Sequence, residues 1–90
     1  MKGTRWLFSG RVQGVGFRWT CAERARLLGL DGWVRNLPDG RVEVLAQGPA
    51  GLVRQLLDHM KSNPGSIHVD TVTESPEPAE PAEPGFRVRR

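Results

Sequence analysis

Ninety residues supply one domain's worth of chain, and an apolar share of 38% with three Trp and three Phe fills two layers of secondary structure, which excludes a second domain or a large enclosed cofactor site. The lone Cys21 excludes an internal disulfide, and no charged leader or run of about 18 apolar residues points to secretion or membrane insertion, so a reducing cytoplasm is the expected compartment. The formal charge of +3 is uneven: residues 1–41 carry eight Lys/Arg against Glu23, Asp31 and Asp39, so this half attracts anions, whether nucleic acid or a small phosphorylated metabolite.

The run Thr4 to Val12 has aromatic and β-branched content with partial alternation and reads as a strand, followed by a loop at Gln13-Gly14-Val15-Gly16. Phe17, Cys21, Ala25 and Leu28 then form one stripe of an amphipathic helix whose other face carries Glu23, Arg24 and Arg26, and Gly29 suits its left-handed C′ position. Trp33 to Leu37 predicts a second strand, and Pro38-Asp39-Gly40 has turn chemistry, so a hairpin leads into a third strand. There Val42, Val44 and Ala46 share one face, while Arg41, Glu43 and Gln47 take outward or loop positions. Pro49 suits the first turn of a second helix with Leu52, Val53, Leu56, Leu57 and Met60 on its apolar side, and Asn63-Pro64-Gly65 stops it.

Ile67 and Val69 alternate but Val72 breaks parity, which predicts a fourth strand with a bulge or an early end near Thr71. Glu74 to Pro84 is dominated by Pro and Glu and reads as an extended surface loop. Phe86 and Val88 then alternate with Arg87 and Arg89 in a short last strand. The order β-α-β-β-α-β predicts a single α+β domain over 1–90 of ferredoxin-like plan. Two helices cover one face of a four-stranded antiparallel sheet, with room for an extra short edge strand at the C-terminus. That plan hosts many functions and decides none.

Chemistry concentrates in two segments. Gly10-Arg11-Val12-Gln13-Gly14-Val15-Gly16-Phe17-Arg18 is a glycine-containing loop that leaves a strand and opens a helix with an arginine in its first turn. Converging backbone N–H groups, a helix N-terminus and a guanidinium fork make an anion cradle, although composition alone also fits a tight strand-to-helix connection. It is neither a Walker A loop nor a Gly-x-Gly-x-x-Gly fingerprint. In Gly32-Trp33-Val34-Arg35-Asn36, the Asn36 carboxamide could orient a water with its oxygen and donate to a phosphate oxygen, or simply flank the turn.

Together the two segments resemble the signatures of the acylphosphatase family, and the likeness extends through Asp39-Gly40, Val42 and Val44, Gly48-Pro49 and the closing Gly85-Phe86-Arg87-Val88. The resemblance implies a phosphate-binding loop at Gln13, Gly14, Val15, Gly16, Phe17 and Arg18, with Arg18 and Asn36 as catalytic residues. It further implies hydrolysis of acyl phosphates by in-line attack of a water placed by Asn36, with a substrate phosphate oxygen accepting the proton. A carboxylate is a good leaving group, so neither a general acid of raised pKa nor a metal or other cofactor is expected. The chain departs from the family in having no Tyr, with Trp19 where the family often has an aromatic, and in the Pro/Glu-rich insert before Phe86.

Cys21 falls on the apolar stripe and reads as a buried, inert thiol; His59 and His68 lack metal-ligand spacing and read as surface residues; Arg87, Arg89 and Arg90 read as a solvated basic edge. The rival from another class is an RNA-binding module of the same element order, but its third strand needs closely spaced Phe or Tyr, and Arg41-Val42-Glu43-Val44-Leu45-Ala46 has none. A regulatory domain is a further alternative, because domains of this family also open larger hydrogenase-maturation proteins that handle carbamoyl phosphate. The preferred reading is a free-standing, cytoplasmic, monomeric enzyme acting on a small acyl phosphate, with inorganic phosphate or sulfate occupying the same site and neither nucleic acid nor membrane as a partner.

Overall fold

A computed structural model describes residues 2–78 and 84–89, and its elements follow the predicted order: β1 Lys2–Arg11, α1 Phe17–Leu27, β2 Asp31–Asn36, β3 Val42–Gln47, α2 Ala50–Lys61, β4 His68–Pro78 and β5 Phe86–Arg89. Alternation along β1 turns Trp6 and Phe8 inward, and both are fully buried with Val42 and Val44 beneath the two helices. From α1, Phe17, Cys21, Ala22 and Ala25 fill that layer; from α2, Val53, Leu56, Leu57 and Met60 do. The Phe8 and Phe17 rings lie 4.9 Å apart between centroids, which anchors the start of α1 against the central strand β1.

Gly29 ends α1 as expected. Its φ of 72° lets its own N–H reach the Arg26 carbonyl while Leu30 N–H reaches back to Ala25, the paired bonds of a Schellman motif. Gly40, at φ 95°, closes the β2–β3 hairpin with its N–H on the Leu37 carbonyl. Pro49 sits at the N-cap, one residue before α2, and its carbonyl accepts from Leu52 and Val53 N–H.

The sheet order is β4-β1-β3-β2-β5. The four antiparallel strands expected are present, and the extra C-terminal strand pairs with β2 in parallel, Val34 opposite Val88, so the five-stranded sheet is mixed. The bulge expected near Thr71 is also present. Ser9 pairs with Thr71 but Gly10 with Val69, leaving Asp70 as the extra residue, and a Cβ on Gly10 would run into the His68 carbonyl.

Two expectations need correction. The segment 74–78, read as loop, belongs to β4, which does not end early but runs alongside β1 to Pro78. An edge strand tolerates proline because one of its sides needs no N–H, and β4 is such an edge. The rest of the Pro/Glu-rich stretch to residue 83, and Arg90, lie outside the described residues.

Glu43 and Gln47 do face away from the helices, yet they are only 3% and 5% exposed. Their strand β3 is flanked on both sides, and the long side chains of Arg5 on β1 and Arg35 on β2 both close on the Glu43 carboxylate, at 2.5 and 2.6 Å.

Candidate active site

The loop between β1 and α1 owes its shape to glycine. Gly14 and Gly16 hold φ of 74° and 80°, the left-handed region, and a Cβ at either would meet no neighbour within 4 Å, so the requirement is backbone conformation and not space. Gly16 is the N-cap of α1 and offers no capping side chain, and the helix's first turn holds no acidic residue. The first internal bond runs from Thr20 N–H to the Gly16 carbonyl, so the amides of Phe17, Arg18 and Trp19 have no intrahelical acceptor. An uncapped helix start with its positive end open is suited to an external anion.

Three side chains complete the surroundings. Arg18, on the first turn of α1, sends Nη1 toward the Arg89 carbonyl at 3.4 Å, a long bond that leaves most of its five donors uncommitted to it. Asn36 is the last residue of β2, and its Oδ1 is buried with no hydrogen-bond donor among the described residues. Gln13 directs Nε2 to two carbonyls of the β2–β3 turn, Leu37 at 2.8 Å and Arg41 at 2.9 Å. That fork ties the loop to the hairpin next to Asn36.

The result is a cleft of about 370 Å³ lined by Val12, Gly14, Gly16, Phe17, Arg18, Trp19, Asn36 and Val88. Five of the seven residues singled out in the sequence therefore meet there. Gln13 does not line it, because its carboxamide is spent on the hairpin, and Val15 instead packs half-buried against the core. Val12, Trp19 and Val88 were not singled out as site residues. Trp19 follows Arg18 in the same helical turn and was legible on that ground. Val88 arrives only through the parallel pairing of β5 with β2, which no local signal announces.

The lining carries one charged side chain, Arg18, and no carboxylate, imidazole or thiol. Cys21, His59 and Glu43, whose pKa values are shifted, lie outside this lining. Burial pushes the Cys21 thiol far up, as expected for an inert core thiol. His59 is half-buried and held below its usual value by burial and by Arg24, whereas His68 is exposed, 3.1 Å from Asp70. Glu43 is pushed up by burial, but the hydrogen bonds from Arg35 and Arg5 outweigh that and hold it below the ordinary carboxylate value. Among the described residues no group of three or more His, Cys, Asp or Glu could hold a metal ion, and no helix is long and apolar enough to cross a membrane.

Comparison with known proteins places this geometry. The family model described as acylphosphatase matches residues 4–88. An acylphosphatase of Rubrobacter xylanophilus is 49% identical over 88 residues, covering 98% of this chain and 80% of its own. One of Rhizobium meliloti is 51% identical over 83 residues, covering 91% of this chain and 86% of its own. The crystal structure of an acylphosphatase from Bacillus subtilis superposes over the full length of both chains with a TM-score of 0.92 at 32% identity.

Proposed function

The chain belongs to the acylphosphatase family, and from that premise we propose that it hydrolyses acyl phosphates to a carboxylate and inorganic phosphate, with Arg18 and the loop amides holding the phosphoryl group and Asn36 placing the water. The single observation that carries the assignment of roles is the convergence on one cleft of an uncapped helix start, the Arg18 guanidinium and the unpartnered, buried Asn36 oxygen.

A buried acceptor without a donor stays in a native structure where function keeps it, since leaving it unpaired costs about 1–3 kcal/mol. In the reaction, Asn36 Oδ1 accepts a hydrogen bond from the water and aims its oxygen at phosphorus. Bond formation from water to phosphorus and cleavage of the bond from phosphorus to the acyl oxygen proceed in line. The carboxylate departs with the bonding electron pair, and the water's proton passes to a phosphoryl oxygen. Arg18 and the amides of Gly16, Phe17 and Arg18 face the equatorial oxygens, where charge is spread in the transition state, so catalysis is placement and electrostatics.

The same geometry weighs against the RNA-binding alternative. Trp6 and Phe8 on the central strand are turned into the core and fully buried, and the ring of Trp33 lies under the guanidinium groups of Arg35 and Arg89, at 5.2 and 4.9 Å. The proposed partner is a small acyl phosphate, with inorganic phosphate or sulfate as occupants of the same site, and the proposed setting is a monomeric enzyme in the cytoplasm.

The test is hydrolysis of benzoyl phosphate followed by ultraviolet absorbance, with and without excess EDTA. Wild type turns over equally in chelator. Arg18→Ala keeps its fold, loses inorganic phosphate as a competitive inhibitor and slows at least ~10²-fold, the scale of losing a preorganised charge-stabilising donor. A folded wild type without turnover refutes the reading.

A further inference from the structure

We infer that Trp19 and Val88 form the subsite for the acyl group, and that they select acyl phosphates whose acyl part is a flat apolar group; this rests on the acyl-phosphate reading of the cleft above. Among the described residues three large apolar side chains are strongly exposed: Leu27 at 74%, Trp19 at 67% and Val88 at 42%. Two of the three line one cleft, the one that also holds Arg18 and Asn36. Leu27 lies about two helical turns along α1, outside that cleft, and lines a smaller depression with Thr20 and His59 that Trp19 also borders. Exposed apolar surface gathered at a cleft marks where a ligand covers it, whereas the same residues scattered singly would mark nothing.

The lining combines two chemistries. Gly14, Gly16 and Arg18 offer N–H donors suited to a phosphoryl group; Val12, Phe17, Trp19 and Val88 present mostly carbon. The cleft's volume of about 370 Å³ is far more than a phosphoryl group fills, and it falls in the ~300–1,000 Å³ range of small-ligand pockets. Val12 and Phe17 are 1% exposed and already belong to the core, so an incoming group meets the indole of Trp19 and the methyls of Val88.

In-line attack also fixes the direction. With Asn36 placing the water on one side of phosphorus, the acyl oxygen leaves from the other, so the acyl group extends along the cleft past the phosphoryl site. In the proposed pose an aromatic or other flat apolar acyl group lies against the indole of Trp19. A carbamoyl group carries N–H donors that this apolar part of the lining cannot pair.

The test compares kcat/KM for benzoyl phosphate and for acetyl phosphate in wild type, Trp19→Ala, Trp19→Phe and Val88→Ser, with inorganic phosphate as competitive inhibitor. Trp19 and Val88 are exposed, so these variants fold. Trp19→Ala lowers the benzoyl-to-acetyl ratio about tenfold, the scale of one good apolar contact, chiefly through KM, because a contact made equally in ground and transition states affects binding alone. Trp19→Phe restores most of the ratio, Val88→Ser lowers it less, and the inhibition constant of phosphate moves less than twofold. A ratio that changes less than threefold in Trp19→Ala, or a phosphate inhibition constant that worsens in step with it, overturns the subsite while leaving the hydrolase reading intact. A wild type that hydrolyses neither substrate overturns both.

Discussion

Replacing Asn36 by alanine separates function from stability. The side chain's buried oxygen has no protein donor among the described residues, so truncation to alanine breaks no hydrogen bond to that oxygen within the protein. It also removes little packing, because Asn36 borders an open cleft and its truncation enlarges that cleft without creating an enclosed void. The backbone pairing of Asn36 with Val42 survives, since any residue supplies it. The net expectation is a folded protein about as stable as wild type. For a domain of this size about 1 kcal/mol corresponds to roughly 4–8 °C in Tm, so the expected shift is smaller than that. Turnover moves the other way: kcat on benzoyl phosphate falls at least ~10²-fold as the water loses its acceptor. Inhibition by inorganic phosphate stays near normal, because the anion's partners are Arg18 and the loop amides. Steady-state kinetics and a thermal melt on the same samples decide the matter. A Tm lowered by several degrees with weakened phosphate binding would refute the reasoning and make Asn36 a structural residue.

Glu43→Gln lowers stability at pH 7 by about 1–2 kcal/mol, the low end for hydrogen bonds to charged groups because Arg5 and Arg35 are 35% and 40% exposed and solvent screens them. The carboxyl's folded pKa is held below 4.5, so its contribution is complete above pH 4.5 and is lost as pH falls through the lower folded value; urea unfolding at descending pH should show the wild-type advantage over the variant shrinking there. Cys21→Ser costs about 1–3 kcal/mol for a hydroxyl in a fully buried apolar site, yet retains activity per folded molecule, and the native thiol resists iodoacetamide at pH 8; a folded but inactive serine variant would give the thiol a role in the chemistry.

Local chemistry made part of this molecule legible before any coordinates. Gly29 ends α1, Gly40 closes the hairpin, and the parity break before Val72 marks the bulge at Asp70, because each rests on conformations or spacings within a few residues. Features set by distant pairing were not legible. Glu74 to Pro78 has the composition of a loop, and only its place at a sheet edge beside β1 makes it strand. Glu43 sits on the outward face of an alternating strand, and its burial depends on arginines 38 positions before it and 8 positions before it. Val88 reaches the cleft because β5 lies parallel to β2 on the far side of the sheet from β4.

The site divides along the same line. The proposed grip on an anion is local, made by backbone and one arginine within residues 14–18, so it is written into one short segment. Asn36, proposed to place the water, belongs to a strand, and reaction in line tolerates only a small error in the distance between the two. The two segments are tied by Gln13, whose amide nitrogen gives both hydrogens to the carbonyls of Leu37 and Arg41, on either side of the turn that follows Asn36. A glutamate there would present oxygen to two carbonyls and push the hairpin away; a shorter side chain would leave those carbonyls only their backbone donors, Gly40 N–H on Leu37 and Leu37 N–H on Arg41, and untie the loop from the hairpin. Gln13, which does not line the cleft, therefore ties the loop that carries Gly14, Gly16 and Arg18 to the turn that follows Asn36.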